Sequence, residues 1–435
     1  VSPILAGILG SGLLVVFLAL GMPIAFLMMF VGFLGIWHLT SLEAALPTVA
    51  QTVYGVASHY PYSIIPLFIL MGSFANEGGV TRSLYGAFHT WFRRWPGGLG
   101  VATIAACAGF AAVSGSSVAA SAAMGSVALP EMRRLGYAPR LATGVVAAGG
   151  TLSFLIPPSL GFVVYGMLTE QSIGKLLVSG ILPGILLSLG YASVVVGWVK
   201  LNPAVAPAAA DRISSREMLL AVKGIWETLT VFLIVMGGIY LGFINPTEAG
   251  AVGACSLWVL ILARGRMSWK GMKDSLLEAA RISVMVLFLV AGATVFSYFL
   301  ALSTIPAAVS GWIAGLAVSR YVVLASIVLI YLVLGCVLDS VSMMVLTLPV
   351  VFPVVAALGF DPIWFGVMAV LMMEAGLITP PVGLNIYTLA GVAKDVPMAE
   401  IFRGAMPFLM AVMAVAVLLA VFPEIALYLP GLMGR

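Results

Sequence analysis

Apolar stretches almost free of charge recur along the whole chain, separated by short charged loops. The longer ones could cross a hydrocarbon layer of about 30 Å as helices. Composition agrees, because the 435 residues are 62% hydrophobic and 8% charged, against about 25% charged in a typical soluble domain. A soluble protein is excluded, and the expected fold class is an all-α polytopic membrane protein. The chain opens at Val1 without a basic n-region and cleavage site, so the first apolar run is expected to be a mature span rather than a signal peptide.

The second constraint is an internal repeat. An offset of 223 residues places Pro23 on Pro246, Pro130 on Pro353, Leu135-Gly136 on Leu358-Gly359, Pro139 on Pro362 and Pro157-Pro158 on Pro380-Pro381. After the double proline an offset of 224 matches Gly180 to Gly404 and Pro183 to Pro407. The predicted domains are a first repeat over 1–200, a cytoplasmic linker over 201–224, with the Pro/Ala-rich stretch 201–215 as its core, and a second repeat over 225–435.

In the first half, spans are expected near 3–20, 22–39, 52–77, 141–169 and 176–199. Between the third and fourth lie two apolar arms, 97–112 and 118–133, joined by Ser114-Gly115-Ser116-Ser117. An arm of about 16 residues reaches only about 24 Å, so 97–133 reads as a re-entrant helical hairpin. The second half repeats the scheme, with spans near 226–243, 247–263, 282–302, 363–393 and 404–429 and a hairpin at 321–356.

Five crossings is an odd number, so the two repeats must have inverted topology. Loop charge tests this independently. With the Val1 end outside, only Lys175, Arg320 and Arg435 of the twenty basic residues lie outside, and the others, including Arg212, fall in the cytoplasm. Inverted repeats of this kind mark secondary transporters with a midplane site. The segments 81–95 and 264–281 mix basic residues with Trp, Phe and Leu and read as helices lying at the headgroup level, or as plain juxtamembrane loops.

The net charge of +4 resides in these loops rather than on one face of a domain, so no nucleic-acid partner is indicated. Cys107, Cys255 and Cys336 sit in apolar runs without CxxC spacing and read as core residues. His38, His59 and His89 lie near interfaces, and Glu77 and Glu170 near predicted span ends. There is no GxxxxGK[ST] loop, HExxH or GxSxG motif, which argues against ATP hydrolysis by that route and against an intramembrane hydrolase.

Transport chemistry is expected at two matched breaks, Ile156–Ser159 and Thr379–Asn385, within the broken helices 141–169 and 363–393. A double proline removes two amide donors, and the freed carbonyls suit a hard cation unless neighbouring Ser or Thr repair them. The first tip brings Ser114, Ser116 and Ser117 around Gly115, where ligand binding competes with small-residue packing of the kind expected of Ser121. In the second half the 223 offset places Asp339 on Ser116 and Ser340 on Ser117. A carboxylate at that depth is a functional hypothesis by default, and Asp339 with Ser340 and Ser342 could ligate a cation or carry a proton. Glu374, five residues before Thr379, reads equally as a packed, hydrogen-bonded group or a site residue.

The runs SGSSVAASAAMGS (114–126), GGTLSFLIPPS (149–159), SIGKLLVSGILPG (172–184) and, across 358–387, LGFDPIWFGV and GLITPPVGLNIY resemble the DctM-type large membrane subunit of TRAP (tripartite ATP-independent periplasmic) transporters. The resemblance covers nearly the whole chain. It implies a Na⁺-driven importer of carboxylate-bearing solutes such as C4-dicarboxylates, multi-pass in a bacterial inner membrane and working as an elevator. It also implies a periplasmic substrate-binding protein that delivers the organic acid and a small four-helix membrane subunit as partner. Carried over by position, Na⁺ would lie between the first tip (Ser114, Ser116, Ser117) and first break (Ser153, Pro157, Ser159), and between Asp339, Ser340, Ser342 and the second break (Gly376, Thr379, Gly383). Ser116, Ser117, Ser159 and Asn385 would contact substrate. Where the family's first break usually reads TLGxLIPPS, this chain has Ser153, a side chain that would crowd or supplement a carbonyl site. The alternatives are a stand-alone anion/Na⁺ symporter without a binding protein and, from a different class, a membrane-embedded enzyme or assembly subunit.

Overall fold

The computed structural model describes residues 2–207, 214–315 and 318–433, and over these the chain is helical with no strand. Arg212, Arg435 and part of the 201–215 linker lie outside the described residues. The helices run Pro3–Ala19, Ile24–Leu39, Leu42–Ser58, Ile64–Glu77, Val80–Phe92, Gly98–Ser114, Ser117–Arg134, Pro139–Leu155, Leu160–Thr169, Ile173–Ser179 and Ile181–Leu201. After the short Ser215–Ala221 come Trp226–Tyr240, Pro246–Ala263, Trp269–Leu302, Ile305–Gly315, Arg320–Gly335, Ser340–Ala357, Pro362–Gly376, Leu384–Val392, Met398–Val421 and Glu424–Leu432. By length and composition, five helical segments among the described residues could cross a membrane, and three bent helix pairs pass the same test together. The molecule is a multi-pass helical membrane protein.

The punctuation at which the two halves of the sequence match does the same local work in each. Gly136 and Gly359 both take left-handed backbone just past a helix end. Tyr137 and Phe360 then donate their N–H groups back to Met132 and Val355, as helix C-caps of this kind require. Pro139 and Pro362 open the next helices, where a missing N–H costs nothing. Both double prolines contain a cis bond and interrupt a helix, the first with a 42° bend between Pro139–Leu155 and Leu160–Thr169.

Two expectations need correction. The span predicted over 52–77 is two helices, Leu42–Ser58 and Ile64–Glu77, bent by 56° through the turn Tyr60–Ser63. Pro61 restricts Tyr60 before it, and the Ser63 hydroxyl holds the turn by donating to the Tyr60 carbonyl at 2.6 Å. The segment 264–281 is not a separate surface helix. From Trp269 it continues without a break into the next span, one rod of 34 residues and about 51 Å; it contains no proline, and Ser268 caps its start by accepting from Gly271 N–H. Before it, Arg264 and Arg266 pair with Glu227 at 2.7 and 3.7 Å. The second arms of the two hairpins are equal in length, 18 residues each.

Lipid supplies little hydrophobic drive between helices, so close approach depends on small residues. A Cβ on Gly292 would stand 2.5 Å from the Ala25 carbonyl oxygen, and one on Gly32 would stand 2.9 Å from Phe296 N. Through these two glycines Ile24–Leu39 lies backbone to backbone against the long helix. Gly144 and Gly404 do the same for Pro139–Leu155 and Met398–Val421, each facing backbone of the other helix. Two packing groups result. The long helix Trp269–Leu302 gathers Ile24–Leu39, Leu42–Ser58 and Ile64–Glu77, while Pro139–Leu155 gathers both arms of the first hairpin and Met398–Val421.

Gly292→Val drives side-chain atoms into the Ala25 backbone, and overpacking of this type costs about 1–3 kcal/mol. We expect a clear drop in the thermal midpoint of the detergent-solubilised protein. Gly311→Ala, where an added Cβ meets no atom within 4 Å, should leave it unchanged.

Candidate functional site

The first tip turns at Gly115, whose φ of 66° is left-handed and favours glycine. Ser114 ends the first arm, and Ser116 caps the second by accepting from Ala119 N–H at 3.4 Å. At the second tip Asp339 takes the same role: its Oδ1 accepts from Val341 N–H at 3.1 Å and Ser342 N–H at 3.0 Å. The 223 offset thus pairs one N-cap with another. The next residue at each tip, Ser117 and Ser340, is buried.

These two serines converge on Glu374, in the last turn of Pro362–Gly376. Ser117 donates to Oε2 at 2.5 Å and Ser340 to Oε1 at 2.9 Å. Glu374 is 1% exposed, so one buried carboxyl joins both tips. The sequence reading left its role open. Nothing in the spacing of residues 117, 340 and 374 shows that two distant helix starts meet at one point.

The breaks lie beside the tips. A Cβ on Gly115 would stand 3.2 Å from the Pro158 carbonyl oxygen, and Gly383 N–H donates to the Cys336 carbonyl at 3.1 Å. Gly376 lies against Gly335, leaving no room for a side chain on either. Carbonyls beside both breaks find partners within the protein. The Ser159 hydroxyl donates to the Phe154 carbonyl, Thr379 Oγ1 to the Ala375 carbonyl at 2.7 Å, and Asn385 N–H to the Leu377 carbonyl at 3.2 Å. Asn385 is fully buried and links the two broken helices, its Nδ2 standing 3.5 Å from the Ala147 carbonyl. Pro157 is buried in its break. Asn385 Oδ1 and the fully buried Ser153 Oγ have no hydrogen-bond partner among the described residues.

The expected site residues therefore divide by direction. Ser114 and Ser116 line a cavity of about 70 Å³ between the first tip and Phe68, Gly72, Ser73 and Asn76, with Glu278 of the long helix at its edge. Ser117 and Ser340 turn the other way, to Glu374. Ser342 is buried, with its N–H on Asp339. A separate groove of about 460 Å³, between Tyr60, Gln171, Asn245 and Thr247, involves neither tip nor break. The polar groups at the tips are hydroxyls and, at the second, the Asp339 carboxyl, oxygen donors of the kind a hard cation takes. The sequence reading missed Asn76, Ser73 and Glu278; they stand on helices whose register against the tip only the fold supplies.

Known proteins agree with this architecture. The model of the DctM component of the tripartite ATP-independent periplasmic transporters matches residues 11–425. The C4-dicarboxylate TRAP transporter large permease protein DctM of Pseudomonas aeruginosa is 37% identical over 89% of this chain and 90% of its own length. The isethionate TRAP transporter permease protein DctMQ of Oleidesulfovibrio alaskensis is 33% identical over 97% of this chain and 66% of its own length. Among solved structures, the YdaH transporter of Alcanivorax borkumensis superposes with a TM-score of 0.65 at 15% identity, over 89% of this chain and 90% of the other, a likeness of fold alone. Both curated relatives are named as permeases. The chain belongs to the DctM component family of the TRAP transporters.

Proposed function

We propose that this chain imports organic acids into a bacterial cell across the inner membrane by Na⁺ symport. A periplasmic binding protein would deliver the substrate, and a small membrane subunit would complete the complex. The relative named DctMQ, whose length exceeds the part matched here, favours such a second component. The observation that carries the reading is the pair of hydroxyl-bearing tips, each set against a double-proline break and joined through Glu374.

On this reading the two halves are inverted repeats. Na⁺ binds between the first tip (Ser114, Ser116, Ser117) and Ser153, Pro157 and Ser159, and between Asp339, Ser340, Ser342 and the break at Gly376, Thr379 and Gly383. The organic acid would occupy the face of Ser116, with Ser117, Ser159 and Asn385, all buried, as its further contacts once the site opens. No Lys or Arg lies within the tips or breaks, so an anion held there relies on helix N-termini, hydroxyls and co-bound cations. An elevator motion would carry the hairpins and broken helices past the group built on Trp269–Leu302. The small cavity at the first tip, with Gly72 against the Ser114 carbonyl, supports such a boundary.

The decisive experiment is uptake of labelled organic acids, carboxylates and isethionate, into proteoliposomes holding this chain and its small partner, with and without an inward Na⁺ gradient and the binding protein. Uptake that needs both is expected. Uptake driven by Na⁺ without a binding protein would favour the stand-alone symporter instead.

Asp339 allows a sharper test, since it already caps a helix. Asn caps as well as Asp, whereas Ala costs about 1 kcal/mol. A merely capping Asp339 predicts full activity for Asp339→Asn; the cation role predicts that Asn and Ala both abolish Na⁺-driven uptake while the protein still inserts. Normal uptake by the Asn variant ends that role.

Ser116 and Ser121 separate ligand from packing residue. Ser121 Oγ is buried with no partner among the described residues and lies against Gly150, so Ser121→Ala should be nearly neutral. Ser116→Ala should raise the Na⁺ concentration for half-maximal uptake by more. Equal shifts would favour packing at the tip.

A further inference from the structure

Glu374 is the one deeply buried carboxyl among the described residues that no ion pair explains. The other buried acid, Glu227, pairs with Arg264 and Arg266. Around Glu374 only hydroxyls donate, one from each tip, at 2.5 and 2.9 Å. Its counterpart at the 223 offset is Thr151, which instead pairs with the Tyr191 hydroxyl at 2.9 Å. A single carboxyl therefore serves both hairpins.

A serine hydroxyl has one proton and two lone pairs. When Ser117 and Ser340 each give that proton to Glu374, neither hydroxyl can donate to a second group, and the lone pairs of both can still accept or ligate. We infer that Glu374 is a positioning residue that sets both tip serines as cation ligands and couples the two ion sites to each other. This rests on the Na⁺ sites proposed above, with Ser117 and Ser340 among their ligands.

The geometry requires an acceptor on both sides of the group. A glutamine has one acceptor oxygen and one donor nitrogen, so in Glu374→Gln one serine must accept instead and gives up a lone pair. The side chain keeps its size, and packing is preserved. Ser117→Ala or Ser340→Ala leaves one carboxylate oxygen unsatisfied, which also disturbs the other serine.

The test is the Na⁺ concentration that gives half-maximal thermal stabilisation of the purified protein, with choline replacing Na⁺, measured beside Na⁺-driven uptake. Glu374→Gln should raise that concentration by about tenfold or more, the scale of a hydrogen bond to a charged group. A purely structural role would instead lower the melting temperature in choline and leave the Na⁺ midpoint in place. In the unaltered background, the shift for Ser117→Ala with Ser340→Ala should depart from the product of the single shifts by about twofold or more. In the Glu374→Gln background the departure should vanish. An unmoved midpoint in Glu374→Gln, or a coupling that survives it, overturns the inference while the Na⁺ sites stand. Absence of any Na⁺ effect on the unaltered protein overturns the Na⁺ reading and this inference together.

Discussion

The backbone at the two double prolines sets the terms for the rest of this structure. In hydrocarbon an unpaired amide or carbonyl costs several kcal/mol, and each diproline removes two donors from a helix. The two breaks are repaired differently. In the first, Ser159 reaches back across the break to the Phe154 carbonyl. In the second, Asn385 N–H answers Leu377 locally, but Gly383 N–H goes to Cys336 of the neighbouring hairpin. The second hairpin is thus a structural partner of its break as well as its neighbour, and the Gly335–Gly376 contact brings the two backbones close enough for that bond.

Small residues then decide which contacts are firm. Gly32 with Gly292 and Gly144 with Gly404 lock helices within each packing group. Gly72 makes the same kind of close approach between the groups, setting a bare backbone of Ile64–Glu77 against the Ser114 carbonyl at the edge of the first tip. The exit of the first hairpin is instead held at Arg133, which pairs with Asp395 at 2.6 Å beyond the second broken helix. Both partners there are substantially exposed, and such a pair adds little stability. It fixes orientation more than it adds strength.

Much of this was legible in the sequence because punctuation is local. Prolines, Leu-Gly pairs and serine tips announce helix starts, caps and breaks wherever they occur, so the helices on either side of each tip and each double proline start and stop at that punctuation. Two failures were also local in origin. Glu43, Pro47 and Gln51 disguise the helix Leu42–Ser58, and the basic residues around Lys270 suggested a surface segment where helix-forming residues in fact continue into a span. Glu374 was beyond reach for a different reason. Its meaning comes from three elements far apart in the chain, and neither periodicity nor spacing carries that information.

The acids at the tips lead one step further in charge. Asp339 has its own compensation, two backbone N–H groups at a helix N-terminus, where the dipole favours an anion. Glu374 has only two hydroxyls, and no basic residue lies in the tips or breaks. An anionic solute entering beside Ser116 would add negative charge to a region that already holds two carboxyls. On the proposed reading, cations must therefore arrive with the solute, and their binding is favoured by groups present before it enters. Coupling then needs no separate device: a site without fixed positive charge holds an organic anion well only when the cations are bound, and loses it when they leave.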